Sequence, residues 1–237
     1  MTTPAQLERL GIVGGTGPQG RGLAARWARV GHAVYLGSRS RDKAERVVAD
    51  LREVIGPEPP VHAATNEEAV VRAEVVVLAF PYEAQAATLS ELCDAIGPKI
   101  VVNVVNPMTF DDIGPQAVPV AAGSAAEECQ QLLPDARVVS AFNAVPARRL
   151  IRVDEPVDCD VPICSDDEDA GHCVAHLASR IPGVRGIDCG PLRNSRYIEN
   201  LTPVLLSINR RYRIHAAIKI DGINSAEQAL HAPRRSG

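Results

Sequence analysis

Residues 15 to 20 read Gly15-Thr16-Gly17-Pro18-Gln19-Gly20, and this stretch decides the fold of the chain. A short apolar run, 10–14, precedes it, and apolar residues at helical spacing follow it over 20–30. A GxGxxG motif that leaves a strand and opens a helix is typical of a dinucleotide-binding βαβ unit. The sequence therefore predicts such a unit here, with all six residues of the motif at the cofactor.

Each glycine of the motif has an expected role. Gly15 allows the tight turn, Gly17 lets backbone N–H groups approach a pyrophosphate, and Gly20 lets the helix pack close to the strand. The N–H groups at the start of the helix then face the anion. The alternative is a glycine-rich turn that binds no ligand.

Outward from the motif, short apolar runs alternate with segments of helical spacing. The predicted strands are 10–14, 33–36, 61–64, 75–80, 99–105 and 137–142, and the predicted helices are 20–30, 40–55, 82–96 and 124–133. This alternation indicates βαβ units and a parallel sheet, with right-handed crossovers that place helices on both faces. We therefore expect an α/β fold with a doubly wound parallel sheet.

The pattern changes after Asn143. The chain continues with a connection rich in proline and charge, 148–157, a strand at 161–164, a helix at 167–180, a strand at 184–188 and a long helix at 195–212. Pro203 falls in the long helix and should kink it or lie in its first turn. The sequence thus predicts a nucleotide-binding domain over 1–146 and a small C-terminal α+β domain over 147–237, with a polar tail from about 225.

The end of the second predicted strand indicates which nucleotide binds. An NAD site usually has an acidic residue there, which accepts a hydrogen bond from the ribose 2′-hydroxyl. This chain has Ser38 and Arg39 instead, with Arg41 and Lys43 close behind. A hydroxyl and cations bind a 2′-phosphate that a carboxylate would repel, so the sequence predicts NADP. In the alternative interpretation Ser38 caps the next helix and the cations are solvated surface.

The composition argues against other classes of function. The 237 residues carry 25 Lys and Arg against 29 Asp and Glu, and only 3 Phe, 1 Trp and 4 Tyr, so we expect no nucleic-acid partner. No apolar run approaches the roughly 18 residues of a membrane span, and the first ten residues lack the pattern of a signal peptide. Six cysteines without a CxxC pair are typical of reduced thiols. These features predict a cytoplasmic protein without a membrane contact.

Several motifs resemble the family of NADPH-dependent reductases of the deazaflavin coenzyme F420. The resemblance begins in the nucleotide half with residues 14–20, 37–39 and Phe80-Pro81-Tyr82. It continues through 139–147, 160–164, 190–196, 199–203 and the closing strand-like segment 218–220. It covers nearly the whole chain, and the C-terminal motifs carry its specificity because a Rossmann half alone indicates only a dinucleotide.

The resemblance implies an enzyme that transfers a hydride between NADP(H) and coenzyme F420. It also implies a Rossmann domain, a small C-terminal domain that completes the pocket of the second cofactor, and a homodimer that the helix at 195–212 could contact. The residues that the resemblance places at the cofactors are Thr16, Ser38, Arg39 and Lys43 for the adenosine phosphates, Tyr82, Ala86 and Ala147 for the nicotinamide half, and Asn143, Val145 and the segment around Ala216 for the deazaflavin. Phe80 and Pro81 are likewise expected to bind a cofactor.

Two features depart from the family pattern. Archaeal members carry a histidine in place of Asn143, whereas relatives that pass electrons from NADPH to flavin and metal ions carry a pair like Phe142-Asn143. An NADPH-dependent flavin or ferric reductase of the same fold is therefore an alternative. The arginine-rich segment 209–213 also differs in length and charge. Its cations are compatible with the phosphate and glutamate tail of the deazaflavin, or else they are solvated helix surface.

The sequence offers no evident acid–base or nucleophilic pair. This fits hydride transfer between two coenzymes, whose own carbons react. Asn143 and His215 are the candidates for a hydrogen bond to a ring carbonyl, and each is otherwise an ordinary loop side chain. His172 and His176 have the spacing of zinc ligands but need further ligands, such as Cys164. We expect two surface histidines and no metal.

Two further functions stay open. A dehydrogenase of a small hydroxy acid or imine generally needs a larger helical second domain with an acid–base group, and Lys219 is the only lysine after Asn143. A non-enzymatic NADP-binding sensor would keep residues 15–20 and Arg39, but it would need no pocket for a second cofactor.

Overall fold

The computed structural model describes residues 8–223. Its strands are β1 (Arg9–Val13), β2 (Ala33–Ser38), β3 (Val61–Thr65), β4 (Val75–Leu78), β5 (Ile100–Asn103), β6 (Met108–Phe110), β7 (Pro115–Ala117), β8 (Arg137–Ser140), β9 (Cys159–Ser165) and β10 (Val184–Asp188). Its helices are α1 (Pro18–Arg29), α2 (Arg41–Ile55), α3 (Asn66–Arg72), α4 (Gln85–Ile96), α5 (Ala125–Leu132), α6 (Ala147–Leu150), α7 (Glu168–Ser179) and α8 (Ser195–Tyr212), with single 3-10 turns at Tyr82–Ala84 and Leu192–Asn194. The predicted polar tail from about 225 lies outside the described residues.

Eight strands form one sheet in the order β3-β2-β1-β4-β5-β8-β9-β10. The first six have the strand order of a Rossmann fold, so the predicted α/β fold class is confirmed. The sheet is not wholly parallel, because β9 runs antiparallel to β8 while β10 runs parallel to β9. β9 and β10 come from the predicted second domain and extend the sheet of the first, and the division at residue 147 stays a prediction.

The strand residues alternate between two hydrophobic cores, one on each face of the sheet. Val75 and Val77 of β4 join the core under α1, α2 and α7, whereas Val76 and Leu78 join the core under α3, α4 and α5. All four side chains of β4 are buried, as a continuous apolar run predicts for a central parallel strand. The expected placement of helices on both faces is confirmed.

Several elements differ from the sequence-based prediction. The short helix α3 and the antiparallel hairpin β6–β7 were not predicted from the sequence, and α6 lies at the start of the predicted connection. Pro203 is buried inside α8 rather than in its first turn. Segment 218–220 forms no strand, although Asp160 N donates to Ile218 O at 2.8 Å and so ties the segment to β9. Within residues 8–223, no helix combines the length and apolar character needed to cross a membrane.

Candidate functional site

The glycine loop between β1 and α1 is held by its own backbone. Gly15 N donates to Gly37 O at 2.9 Å and to Ile12 O at 3.2 Å. A Cβ atom at Gly15 would lie 2.9 Å from Ile12 O, and one at Gly20 would lie 2.6 Å from Gly15 Cα. At Gly17 the nearest atoms would be 3.8 and 3.9 Å away. Packing therefore requires the absence of a side chain at Gly15 and Gly20, whereas a methyl group at Gly17 would make only ordinary van der Waals contacts.

The N-terminus of α1 points out of this loop. Gly17 is its N-cap, Pro18 follows at the first helical position, and no side chain caps the helix. The first N–H groups of a helix have no partner within the helix, and the helix dipole places partial positive charge there. This end of α1 is therefore suited to an anion, and Gly17 leaves room for it to approach.

A cleft of about 540 Å³ opens beside the loop. Seven residues of the predicted site line it: Thr16, Gly17, Ser38, Arg39, Lys43, Phe80 and Pro81. The other lining residues are Gly14, Ser40, Asn66, Ala79, Ala84 and Thr88. We call it the nucleotide cleft. Asn66, the first residue of α3, was not expected here; its Oδ1 accepts from Gly14 N at 3.1 Å and so fixes the end of β1.

The three cations that follow Ser38, namely Arg39, Arg41 and Lys43, divide into two groups. Arg39 and Lys43 are exposed and form no ion pair within residues 8–223. Arg41 instead forms an ion pair with Glu68 and lines a different cleft. Of the predicted cations, two are thus available to a phosphate in this cleft.

The two serines after β2 have different roles. Ser40 caps α2 and accepts from Lys43 N at 3.4 Å. Ser38 is buried, and its Oγ accepts from Ser40 N at 3.2 Å. The alternative in which Ser38 caps the helix is therefore wrong, since the cap lies two residues later.

Two of the predicted nicotinamide contacts, Tyr82 and Ala86, lie outside the nucleotide cleft. Tyr82 is half-buried, and its hydroxyl donates to Glu128 Oε1 at 3.1 Å. Burial, followed by the bond to Glu128, raises the pKa of Tyr82 above its ordinary value. Ala86 is exposed on α4 and does not line the cleft. The structure thus places Phe80 and Pro81 in the cleft but not Tyr82 or Ala86.

The segment that follows β8 contacts α1 through Phe142. Phe142 is buried with φ of 63°, a left-handed conformation that is uncommon for a bulky residue. Its ring meets Trp27 edge to face with centroids 5.5 Å apart, and its carbonyl accepts from Gln19 Nε2 at 3.0 Å. Gln19, which was predicted to bind the cofactor, therefore uses its amide to join the glycine loop to the end of β8.

Asn143 is buried, and its side-chain amide and its carbonyl are hydrogen-bonded. Its Oδ1 accepts from Ser140 Oγ at 3.2 Å, and its Nδ2 donates to Val105 O at 3.1 Å. Its carbonyl accepts from Asn106 Nδ2 at 2.9 Å and from Thr202 Oγ1 at 3.2 Å. In this arrangement Asn143 holds the loop after β8, and its contact with a deazaflavin stays a prediction.

One turn before Thr202 on α8, Glu199 reaches a second element. Its two carboxylate oxygens accept from Ala125 N at 2.8 Å and Ala126 N at 3.1 Å, at the start of α5. Burial raises the pKa of Glu199 to about 7, against the lowering by these two bonds. We call Asn143, Glu199 and Thr202 the α8 anchor, because they attach α8 to the sheet end and to α5. The sequence motif 199–203 marked this segment without indicating that role.

A second cleft, of about 640 Å³, opens on the other side of the glycine loop. It is lined by Pro18, Pro146, Ala147, Arg148, Leu206, Asn209, Arg210, Arg213, Ile214 and His215. From the predicted site it includes Pro18, Ala147 and His215, but not Val145, which is buried, or Ala216, whose N–H donates to Asn209 Oδ1 at 2.5 Å. We call it the second cleft. Gly17 lines the nucleotide cleft and Pro18 lines the second cleft, so both clefts border the glycine loop.

No cluster of three or more metal-binding side chains occurs in the part of the chain that the structure describes. His172 and His176 lie on α7, and Cys164 lies on β9 as a buried free thiol. Burial raises the pKa of Cys164 to about 12, so this thiol keeps its proton at neutral pH. These residues do not assemble the zinc ligands that the spacing allowed.

The chain matches proteins of one family over most of its length. Residues 9–107 match the family model described as NADP oxidoreductase coenzyme F420-dependent. The chain is 40% identical over 226 residues to the F420-dependent NADP reductase of Methanothermobacter thermautotrophicus, covering 92% of this chain and 97% of that protein. A crystal structure of a candidate F420-dependent NADP-reductase from Arthrobacter sp. FB24 superimposes with a TM-score of 0.78 at 26% identity, covering 90% of this chain and 99% of that one.

A more distant likeness is to Metalloreductase STEAP3 of Rattus norvegicus. It is 30% identical over 203 residues, which cover 86% of this chain but 38% of that protein.

Proposed function

The chain belongs to the family of F420-dependent NADP reductases, and from this membership we propose that it transfers a hydride between NADP(H) and the deazaflavin coenzyme F420. The observation that carries the proposal is the meeting of two clefts at one glycine loop. A single-coenzyme sensor would need only the first cleft. An enzyme that passes a hydride between two coenzymes needs both, with their inner ends side by side.

NADP(H) occupies the nucleotide cleft in this proposal. The pyrophosphate lies against Gly17 and the N-terminus of α1, where the backbone offers N–H groups and no side chain intrudes. Thr16 and Ser38 add hydroxyls, and Arg39 and Lys43 hold the 2′-phosphate, since neither has an ion-pair partner within residues 8–223. Charge-assisted bonds to a phosphate contribute about 1.5–3 kcal/mol each, which favours NADP over NAD.

The two reacting rings lie at the junction of the clefts. Phe80 and Pro81 border the nicotinamide from the first cleft, and Ala147 borders it from the second. The resemblance adds Tyr82 and Ala86 on the nicotinamide side. On the deazaflavin side it adds Asn143, Val145 and the segment around Ala216.

The bound coenzymes supply the hydride chemistry themselves, through their own carbon atoms. The work of the chain is to place the rings within about 3–3.5 Å of each other and to keep water out. Pro18, Pro146 and Ala147 present small, rigid surfaces at the junction. Several side chains that line the second cleft can hydrogen-bond a bound coenzyme, among them Asn209 and His215.

We further propose a cytoplasmic homodimer with a distinct nucleotide-binding part, residues 1–146, and a C-terminal part, 147–237. Support for the dimer is the exposed apolar surface of α8, where Tyr197 and Tyr212 are 69% and 65% exposed. Six free cysteines without a disulfide suit a reducing compartment. Light scattering on the purified chain tests the dimer directly, and a monomer mass would contradict it.

A second candidate function is an NADPH-dependent flavin or ferric reductase. The Phe142-Asn143 pair and the likeness to a metalloreductase favour it. Both functions share the nucleotide cleft, so they differ in the acceptor alone.

Acceptor specificity decides between the two functions. Purified protein is mixed with NADPH and oxidised F420, and with FMN, FAD or a ferric chelate in parallel. We expect the visible absorbance of F420 to disappear in step with the near-ultraviolet absorbance of NADPH, with little turnover of the other acceptors. Reduction of flavin or ferric ion without reduction of F420 would establish the second candidate instead.

A further inference from the structure

A third cleft, of about 390 Å³, adjoins the second one. Its lining includes Arg149, Arg152, Glu155, Asp158 and His215. His215 lines both clefts, so a ligand that leaves the second cleft past this side chain enters the third. We call this third cleft the tail cleft.

Together the two clefts are strongly basic. The second cleft contributes Arg148, Arg210 and Arg213, of which Arg210 donates to Ile113 O at 3.4 Å. No ion pair occupies these three side chains within the described residues. With the two arginines of the tail cleft, five guanidinium groups line these two clefts, in a chain whose net charge is −4.

The two carboxylates of the tail cleft do not cancel this charge. Asp158 forms an ion pair with Lys219, a cation from outside the cleft. Glu155 lies 3.7 Å from Arg152, and the two side chains are 67% and 58% exposed. An exposed pair at that distance contributes little, so Arg152 can exchange this partner for an anionic ligand.

A buried arginine of α1 holds the turn that carries Arg149 and Arg152. Arg26 of α1 is 2% exposed, and its guanidinium donates at 2.6–3.2 Å to the carbonyls of Arg149, Leu150, Arg152 and Val153. Arg149 Nη1 also donates to Val157 O at 3.1 Å. Because four carbonyls share one buried cation, the backbone that carries Arg149 and Arg152 is preorganised. Arg26 is thus a positioning residue for this cleft.

We propose that the tail cleft binds the carboxylates of the oligoglutamate tail of the deazaflavin substrate. The inference rests on the proposed function, which places the deazaflavin ring at the inner end of the second cleft. The phosphate and tail then run outward over Arg148, Arg210 and Arg213, past His215, to Arg149 and Arg152. Each glutamate adds one carboxylate, so a longer tail reaches more of these cations and binds more tightly.

The test compares two forms of the coenzyme, one without glutamates and one with six. For the wild-type enzyme we expect a KM about three- to tenfold lower for the hexaglutamate form, as expected for a few solvent-exposed ion pairs. This ratio should shrink as salt is added, because exposed charges are screened. In R152Q the ratio should fall about two- to threefold, and in R149Q/R152Q it should approach one. The matched control is R46Q on the exposed face of α2, which should keep the wild-type ratio.

Each result has a defined meaning. A wild-type KM that does not depend on tail length, or a ratio that R152Q leaves unchanged, would overturn the tail cleft while leaving the proposed function intact. Failure of NADPH to reduce either form would contradict the proposed function instead. In that case calorimetry with free γ-hexaglutamate still decides the matter: binding that is weakened in R149Q/R152Q supports the tail cleft, and no binding to the wild type overturns it.

Discussion

The nucleotide cleft and the α8 anchor treat polar groups in opposite ways. In the cleft, Arg39 and Lys43 have no ion-pair partner within residues 8–223, and no side chain caps the N-terminus of α1. In the anchor, both side-chain ends of Asn143 and both oxygens of Glu199 have partners within the chain. The nucleotide cleft therefore offers its polar groups to a ligand, whereas the α8 anchor uses its polar groups to connect elements of the fold. Variants that separate binding from stability test this distinction.

The largest expected effect comes from two glycines of the same loop. In G20V the new side chain meets the backbone of Gly15, so we expect a loss of about 3 kcal/mol in the free energy of unfolding.

In G17A the added methyl meets no atom closer than 3.8 Å, so the free energy of unfolding should change by less than about 1 kcal/mol. NADPH affinity should nevertheless fall about tenfold, because the methyl occupies the approach of the pyrophosphate. Urea unfolding and NADPH fluorescence titration measure the two quantities. A G17A protein with full NADPH affinity would show that the loop is not the pyrophosphate site.

The next effect concerns the 2′-phosphate. R39D replaces an unpaired cation with an anion, so NADPH affinity should fall about 10- to 100-fold while NADH affinity changes less than about threefold. The matched control is R41Q, which loses an ion pair with Glu68 but lies outside the nucleotide cleft. It should keep its NADPH affinity within about twofold. Equal losses for NADPH and NADH in R39D would remove the 2′-phosphate assignment.

In the α8 anchor, the expected effect is on stability and depends on pH. Burial raises the pKa of Glu199 from 4.5 to about 7, so the folded state binds this proton more tightly than the unfolded state does. The contribution to stability is therefore complete below pH 4.5 and is lost as the pH rises through 7. Between pH 5 and 8 we expect the free energy of unfolding of the wild type to fall by about 2 kcal/mol relative to E199Q. Urea unfolding at several pH values gives both curves. Parallel curves would mean that Glu199 is ionised throughout.

The smallest effect is expected at Asn143. N143L removes the partners of Ser140 Oγ and Val105 O, so the free energy of unfolding should fall by about 1–2 kcal/mol. NADPH affinity should stay close to that of the wild type, because Asn143 does not line the nucleotide cleft. Denaturant titration and NADPH titration of the same preparation check both statements. Undiminished stability would show that the anchor does not depend on this side chain.

Local patterns in the sequence account for most of the fold. Four elements, β1, β4, β8 and α8, were predicted from their own sequences. The apolar pattern of each segment shows which of its residues are buried, and this is sufficient to identify a strand or a helix. Short elements without such a pattern escaped prediction: α3 has seven residues, and the strands of the β6–β7 hairpin have three each. The antiparallel direction of β9 was not predicted either, because the direction of a strand depends on contacts with residues that are distant in sequence.

The candidate site was predictable to a similar extent. The glycine loop, Ser38, Arg39 and Lys43 are local signals, and the structure brings them into one cleft. Asn66 meets Gly14 across 52 positions in sequence, and no local pattern indicates such a contact. The partners of Asn143 are likewise set by tertiary structure, since Val105 and Thr202 come from different elements.

In the proposed function NADP(H) and the deazaflavin meet at the glycine loop, so the hydride passes directly between them. The most direct measurement uses NADPH with deuterium at both C4 positions, oxidised F420 and ordinary water, followed by mass spectrometry of the reduced F420. We expect one deuterium in each reduced F420 molecule, because a hydride that passes directly between the two coenzymes does not exchange with solvent. Reduced F420 without deuterium would contradict direct transfer.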